Sequence, residues 1–146
     1  MSNFKGQELY SIDNKGRVNI PAKMRKYLTP EALDTFVVTR GLDDCIVAYP
    51  LDEWKKYEIK FKDLNQYNAD NRKFLRTILI WSEEIPMDSS QRIMLPKRLL
   101  DFAEIDNKVM IVGMLDHIEF WNPEKFDKYM NGGDETYEQI SAKVMS

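Results

Sequence analysis

The chain has 146 residues and a formal net charge of −3, and 43% of its residues are hydrophobic. This length suits one compact domain, or two small units that share a core. Because Cys45 and His117 are the only residues of their kinds, the sequence excludes an intrachain disulfide, a multi-cysteine zinc site and most histidine-based catalysis. We therefore expect no catalytic residue, no metal and no cofactor.

The longest apolar runs are far shorter than the roughly 20 residues that cross a bilayer. The N-terminal segment also lacks the apolar stretch of a signal peptide. These features predict a cytoplasmic protein without a membrane partner.

The charges are unevenly distributed along the chain. Residues 1–30 contain six basic and two acidic side chains, whereas residues 83–103 contain three basic and four acidic ones. A basic surface attracts the phosphates of nucleic acids, and an acidic surface repels them. The first segment is therefore the better candidate for contact with nucleic acid.

The sequence contains an internal repeat, in which residues 10–24 align with residues 85–99. The aligned pairs include Asp13 with Asp88, Arg17 with Arg92, Val18 with Ile93 and Pro21 with Pro96. Residues 41–54 continue the match with residues 113–126. We predict one unit at 7–54, a helical connector at 55–82, a second unit at 83–126 and a polar tail at 127–146. Neither unit is long enough to bury a stable core alone, so we expect them to share one.

Each unit begins with a pattern typical of a β-hairpin. In the first unit, apolar positions at 9–12 and 18–20 flank the turn formers from Asp13 to Gly16. The Asp13 carboxylate can accept backbone N–H groups of the turn, and Gly16 can supply a positive φ. In the second unit Gln91 replaces Gly16. A side chain at positive φ costs on the order of 1 kcal/mol, so we expect the second turn to be reshaped.

The remaining elements follow in the same order in both units. Short helices are expected after Pro21 and Pro96, then strand pairs at 36–39 with 45–49 and at 109–112 with 118–121. Each unit ends in a short helix, near residue 50 and near residue 122. Residues 68–81 predict an amphipathic helix. Its inward side chains are expected to be Phe74, Leu75, Ile78 and Leu79. The tail after Gly133 is expected to form at most a loose helix.

The two Asp-x-x-x-Arg motifs, at 13–17 and 88–92, resemble those of the MraZ family. The segments Thr39 to Asp43 and Tyr49 to Trp54 extend this resemblance, which covers the chain from Gly6 to Trp121. It implies an α+β, mostly β fold of two tandem SpoVT/AbrB-like units of the swapped-hairpin type, with short helices and a pseudo-two-fold core.

The resemblance also implies a function. MraZ proteins are bacterial transcription regulators that bind repeated double-stranded DNA sites ahead of the division and cell-wall gene cluster, including their own gene. They form closed homo-oligomeric rings. The expected partners are therefore promoter DNA, at the nucleoid, and further copies of this chain, with no small-molecule substrate.

Arginine is the side chain best shaped for paired hydrogen bonds to a guanine edge, and lysines around it suit phosphates. The residues that we expect to contact DNA are Asn14, Lys15, Arg17, Lys23 and Arg25, with Arg92 in a secondary role. Asp13, Gly16 and Asp88 are expected to shape the turns. For Arg40 the sequence leaves open a DNA contact or a contact between subunits.

Two other functions remain open at this point. One is a ring-forming scaffold or protein-interaction module that does not bind DNA. The other is a carboxylate-based hydrolase, which only the number of Asp and Glu residues supports. Steep loss of duplex binding with added salt, and preference for promoter DNA, would favour the regulator.

Overall fold

The structure, a computed structural model, describes residues 2–146. The strands are β1 (Gln7–Ser11), β2 (Arg17–Asn19), β3 (Thr35–Arg40), β4 (Ile46–Pro50), β5 (Glu83–Pro86), β6 (Arg92–Met94), β7 (Lys108–Gly113) and β8 (Ile118–Trp121). The helices are α1 (Ala22–Arg25), α2 (Leu51–Lys62), α3 (Ala69–Trp81), α4 (Lys97–Ala103), α5 (Pro123–Asn131) and α6 (Tyr137–Val144), and Pro30–Ala32 forms a 3-10 turn. This α+β fold, built mostly of strands with short helices, confirms the predicted fold class.

Six strands form an antiparallel sheet in the order β1-β7-β8-β4-β3-β5, and β2 and β6 form a separate two-stranded ribbon. The ribbon packs on one face of the sheet together with α1 and α4. The opposite face carries α2, α3 and α5. The molecule therefore has three layers, with the sheet in the middle.

The predicted hairpin within the first unit is wrong. β1 pairs with β7, from Gln7 opposite Val112 to Ser11 opposite Lys108, and β2 pairs with β6. Each strand that flanks a turn therefore has its partner in the other unit. The alternation of apolar and polar residues determines which face of a strand is buried, but it does not specify the partner strand.

This exchange of strands explains why the two units share one core. Val18 of β2 and Ile93 of β6 lie opposite each other, and both are fully buried beneath the ribbon. They pack in a cluster with sheet residues of both units, which include Phe36, Ile111 and Phe120. Either unit alone would leave one side of this cluster open to water.

The helices on the other face differ from expectation in length and in burial. α2 runs from Leu51 to Lys62 and so continues past residue 54, where we predicted the first unit to end. In α3 Phe74 packs edge-on against Phe61 of α2, with 5.7 Å between the ring centres, and Leu79 lies beside the same ring, but the two residues are still 43% and 50% exposed. Their predicted burial is therefore only partial. The helix contacts the sheet mainly through β3 and leaves part of its apolar stripe uncovered.

Arg40, for which the sequence leaves open a DNA contact or a contact between subunits, packs against aromatic rings of its own chain. Its guanidinium carbon lies 4.3 Å from the ring centre of Phe102 and 5.6 Å from that of Trp81. The cation–π contacts link the end of β3 to α3 and α4 within one chain. Among residues 2–146, no helix is both long and apolar enough to span a membrane.

Candidate nucleic-acid interface

The first turn is closed by hydrogen bonds to Asp13. Its Oδ1 accepts the backbone N–H groups of Lys15 and Arg17 at 3.0 and 2.8 Å, and its Oδ2 accepts Arg17 Nε at 2.6 Å. The N–H of Gly16 donates to the Asp13 carbonyl at 3.0 Å. Gly16 has a φ of +86°, as the glycine in the sequence predicts.

The second turn has the same geometry, although we expected it to be reshaped. Asp88 Oδ1 accepts the N–H groups of Ser90 and Arg92 at 2.8 and 3.0 Å, and Oδ2 accepts Arg92 Nε at 3.0 Å. Gln91 has a φ of +58°, in the same left-handed region as Gly16, whose φ is +86°. The expectation of a reshaped turn is therefore wrong, because the Asp88 bonds hold the turn in its left-handed form.

The surroundings of the two turns explain why only one of them needs glycine. A Cβ on Gly16 would lie 2.7 Å from the Leu95 carbonyl oxygen and 3.2 Å from Leu100 Cδ1. Gln91 is exposed, and it lines a cavity of about 380 Å³ beside Arg25. Arg25 is the repeat equivalent of Leu100. The second turn therefore has room for a side chain that the first turn lacks.

The ribbon brings the two arginines onto one surface. In β2 and β6 the middle residues Val18 and Ile93 are buried, so the flanking residues face away from the sheet. Arg17 lies opposite Met94, and Asn19 lies opposite Arg92. Residues directly opposite each other in a ladder share a face, and so do residues two apart along a strand. We call the outward face formed by Arg17, Asn19, Arg92 and Met94 the ribbon face.

Both guanidinium groups on the ribbon face are oriented by a carboxylate and still accessible. Their side chains are 34% and 31% exposed. Each Nε is bound by the aspartate of its own turn, and within residues 2–146 the terminal amino groups of Arg17 and Arg92 make no hydrogen bond. These amino groups are the donors with which arginine binds paired acceptors.

The turn hydrogen bonds keep both aspartates ionised. The N–H of Arg17, followed by its side chain and the N–H of Lys15, lowers the pKa of Asp13 to about 2. The N–H of Arg92 is the largest cause of the lowered pKa of Asp88. Each aspartate thus holds its arginine as a charged pair, and neither is an acid poised to donate a proton near neutral pH.

The other predicted site residues do not all lie together. Asn14 and Lys15 are exposed in the first turn, next to Arg17. Lys23 instead forms an ion pair with Glu8, at 3.0 Å. Arg25 donates to the Ile20 carbonyl at 2.5 Å and lines the cavity beside the second turn. The first unit therefore contributes a positive charge next to the turn of the second.

Sequence reasoning missed two members of the ribbon face. Asn19 donates from Nδ2 to the Ser90 carbonyl at 2.9 Å and so fastens the ribbon to the second turn. Met94 is 55% exposed opposite Arg17. The alternation Arg17, Val18, Asn19 already placed Asn19 on the same face as Arg17, and that signal could have identified it.

No group of three or more His, Cys, Asp or Glu side chains within residues 2–146 is arranged to hold a metal ion. One polar cluster lies on the face of the sheet that carries α2, α3 and α5. There the Tyr57 hydroxyl donates to Asp116 Oδ2 at 2.7 Å, and His117 Nδ1 lies 2.7 Å from Asp116 Oδ1. Burial acts to raise the pKa of Asp116, but the hydrogen bonds from His117 and Tyr57 outweigh it and leave that pKa lowered.

The chain is therefore a two-repeat α+β protein. Its two repeats exchange strands, and each contributes one Asp-Arg turn to the shared ribbon. The family model described as "MraZ protein, putative antitoxin-like" matches residues 4–77 and again 79–145. The chain belongs to the MraZ family. The resemblance drawn from the paired Asp-x-x-x-Arg motifs is thereby confirmed.

Relatives that are similar over nearly their whole length support this assignment. The chain is 40% identical over 142 residues to a protein named Transcriptional regulator MraZ from Natranaerobius thermophilus, which covers 97% of this chain and 96% of the relative. A protein of the same name from Carboxydothermus hydrogenoformans is 38% identical over the same shares of the two chains. A third, from Halothermothrix orenii, is 37% identical over 141 residues, again 97% and 96% of the two chains.

Proposed function

We propose that this protein is a sequence-specific DNA-binding transcriptional regulator and not an enzyme. The observation that carries the proposal is the ribbon face, on which two aspartate-held arginines point free amino groups away from the sheet. The names of its relatives agree with this function. The sites proposed are repeated sequences upstream of the division and cell-wall gene cluster, including the protein's own gene.

The dimensions of the ribbon suit the major groove of DNA. That groove admits a two-stranded β-ribbon, and each base pair presents its own pattern of donors and acceptors there. Arg92 lies opposite Asn19, two residues along β2 from Arg17. This offset is about 7 Å along a strand, close to two base-pair steps. One ribbon would therefore read two nearby guanines.

We assign direct DNA contact to six residues and turn support to three. The DNA contacts are Asn14, Lys15, Arg17, Lys23, Arg25 and Arg92, and the turn residues are Asp13, Gly16 and Asp88. The first unit is proposed to dominate, because its turn contains Lys15 where the second contains Ser90. Lys23 would have to break its ion pair with Glu8 before it could bind a DNA phosphate. We therefore expect it to contribute less to the affinity for DNA.

Assembly of copies is part of the proposal. A single ribbon face offers few charges, and so it would bind weakly at physiological salt. If several copies in a closed ring engage tandem sites together, the gain over single-site affinity is roughly 10² to 10⁴. A straight duplex cannot reach every face of a ring, so binding is expected to bend the DNA or open the ring.

The remaining assignments accompany this function. We propose that the protein acts in the cytoplasm at the nucleoid, without metal, cofactor, membrane partner or small-molecule substrate. The division into units at 7–54 and 83–126, a connector at 55–82 and a tail at 127–146 is kept as a working description of the repeat.

Fluorescence anisotropy tests the proposal. Duplexes that contain the region upstream of the protein's own gene are compared with scrambled duplexes across a salt series, for the wild type and Arg17→Ala. We expect promoter-selective binding that falls steeply with salt and that the variant loses while its oligomer stays intact. Equal and negligible binding of both duplexes by assembled wild type would contradict the regulator and favour a scaffold that binds proteins.

A further inference from the structure

A cavity of about 380 Å³ lies between the sheet and the helices α2 and α3, on the face opposite the ribbon. Its volume falls in the range of pockets that bind small molecules. Leu42 of the β3–β4 loop and its repeat equivalent Met114 of the β7–β8 loop line the cavity, and both side chains are exposed. The cavity therefore opens to solvent where the two repeats meet. We call it the aromatic cavity, because five rings line it: Tyr49, Trp54, Tyr57, Phe61 and Phe74.

The rings of the aromatic cavity face in different directions. The ring centre of Tyr49 lies 5.5 Å from that of Trp54 and 5.0 Å from that of Tyr57, with the ring planes inclined by 52° and 62°. Phe61 continues the series, since its ring centre lies 5.7 Å from those of Trp54 and Phe74. The face of an aromatic ring is negative and attracts a cation that lies within about 6 Å of the ring centre. Rings set at such angles can surround one cation with several ring faces.

The charged groups at the aromatic cavity are mainly carboxylates. Asp43 and Glu119 line it. Arg40 also lines it, but its guanidinium packs on the rings of Phe102 and Trp81, and neither ring belongs to the lining. The two carboxylates therefore outweigh the one arginine, whose charge is directed elsewhere.

His117, the other basic residue of the lining, is matched by a carboxylate of its own. Its Nδ1 lies 2.7 Å from Asp116 Oδ1, and Asp116 Oδ2 accepts the Tyr57 hydroxyl at 2.7 Å. Asp116 balances the imidazole whenever the imidazole carries a second proton. The aromatic cavity therefore keeps the negative charge of Asp43 and Glu119.

Glu119 is a half-buried carboxylate in a largely apolar part of the sheet. It lies opposite Val47, its repeat equivalent, and beside the buried Cys45 and Trp121. Its Oε1 accepts the indole N–H of Trp121 at 2.9 Å. Burial raises the pKa of the Cys45 thiol, and the charges of Glu119 and Asp43 raise it further. Because partial burial weakens the hydration of a carboxylate, Glu119 gains stability from a cationic partner.

We propose that the aromatic cavity binds a small organic cation, whose ammonium group lies against the rings with Glu119 and Asp43 as counter-charges. Aromatic rings recognise ammonium groups in this way. A neutral ligand of the same shape would contact the rings without the attraction of the carboxylates, and an anion would be repelled by them. The cation is a ligand and not a substrate. The inference does not rest on DNA binding, because the cavity and the ribbon lie on opposite faces of the sheet.

The first test is titration calorimetry of the full-length wild type at constant ionic strength. The methylated probe is choline, compared with 3,3-dimethylbutan-1-ol, its neutral counterpart with carbon in place of nitrogen. The protonated probe is n-butylammonium, compared with butan-1-ol. We expect at least one of the two cations to bind about tenfold or more tightly than its neutral counterpart, because several ring faces and two carboxylates act on the charge.

The second test repeats the titrations with variants of the lining. Glu119→Gln removes the charge but keeps an oxygen that can accept the Trp121 N–H. We expect it to weaken binding of the cation about fivefold to tenfold and to leave binding of the neutral counterpart unchanged. Glu84→Gln is the matched control, because Glu84 is exposed on β5 outside the lining.

Phe74→Leu tests the rings separately. It replaces an aromatic side chain that is 43% exposed with an aliphatic one, so the fold should be kept, as circular dichroism can verify. We expect about threefold weaker binding of the cation, again with little change for the neutral counterpart.

Three results would overturn the proposal. Equal affinities for each cation and its neutral counterpart would mean that charge plays no part in the cavity. Equal losses in Glu119→Gln and Glu84→Gln would mean that the cation is attracted by the overall charge of the protein and not by this site. No binding of either cation would exclude the site itself, and none of these results would affect the proposed binding of DNA.

Discussion

The two turns of the repeat have the same backbone and the same hydrogen bonds, but different sequences and surroundings. Asp13 and Asp88 each hold two backbone N–H groups and an arginine Nε. The first turn has a glycine at its left-handed position, packed against Leu95, and the second has an exposed glutamine beside a cavity. The comparison shows that the aspartate determines the form of the turn, while packing determines whether the left-handed residue must be glycine.

The largest difference between the turns should appear in DNA binding. Arg17→Ala is expected to weaken binding to promoter DNA about tenfold to a hundredfold, because a bidentate arginine–guanine contact contributes about 1–3 kcal/mol. Arg92→Ala should weaken it less, about threefold to tenfold, because the second turn lacks a lysine. Anisotropy titrations at one salt concentration measure both values.

Arg72→Ala is the matched control, because Arg72 lies on α3 across the sheet from the ribbon. It should bind as the wild type does. An Arg92→Ala loss equal to or greater than that of Arg17→Ala would contradict the dominance of the first unit.

The next effect concerns packing at the left-handed position. Gly16→Ala combines a side chain at positive φ with a Cβ 2.7 Å from a backbone oxygen. We expect it to lower the free energy of unfolding by about 2–3 kcal/mol. Gln91→Ala, at a position that already holds a Cβ, should change it by less than about 0.5 kcal/mol. Urea denaturation measures both, and equal losses would show that the two sites are packed alike.

The pH dependence of stability tests the aspartate of the first turn. The pKa of Asp13 is about 2 in the folded chain against an ordinary 3.8, so its ionised form stabilises the fold above about pH 4. This stabilisation is lost as pH falls from about 4 to 2. Asp13→Asn removes it, so the wild type and the variant should differ most near pH 5 and converge near pH 2.

Urea denaturation of both proteins at a series of pH values gives this difference directly. Asp88→Asn should converge with the wild type in the same direction, because the pKa of Asp88 is also lowered. A constant difference between wild type and Asp13→Asn from pH 5 to pH 2 would show that the Asp13 charge does not stabilise the turn.

The smallest effect is expected from relief of the second turn. Gln91→Gly removes a side chain from φ +58° and is expected to stabilise the fold by at most about 1 kcal/mol, since the flexibility of glycine offsets part of the gain. Ser90→Gly is the control, because Ser90 has no positive φ to relieve. We expect this variant to be slightly less stable than the wild type. Thermal denaturation of both variants measures these changes in stability. A Gln91→Gly variant less stable than the wild type would mean that the glutamine side chain supports the turn.

The sequence by itself determined the repeat, the paired strands at 36–39 with 45–49 and at 109–112 with 118–121, and the helix at 68–81. It also determined the form of the first turn, because Asp13 and Gly16 act through bonds and dihedral angles within five residues. These features depend on the spacing of residues along the chain, and the sequence shows that spacing directly.

Only the tertiary structure decided the rest. Strand partners were exchanged between the units because a period-two pattern specifies a buried face and not a partner, and this exchange brought Arg92 beside Asn19 on one ribbon. The left-handed Gln91 was allowed because the second turn borders a cavity. Arg40 found its partners on α3 and α4, far along the chain. Each of these outcomes depends on which distant residues meet, and a pattern read along the chain does not contain that information.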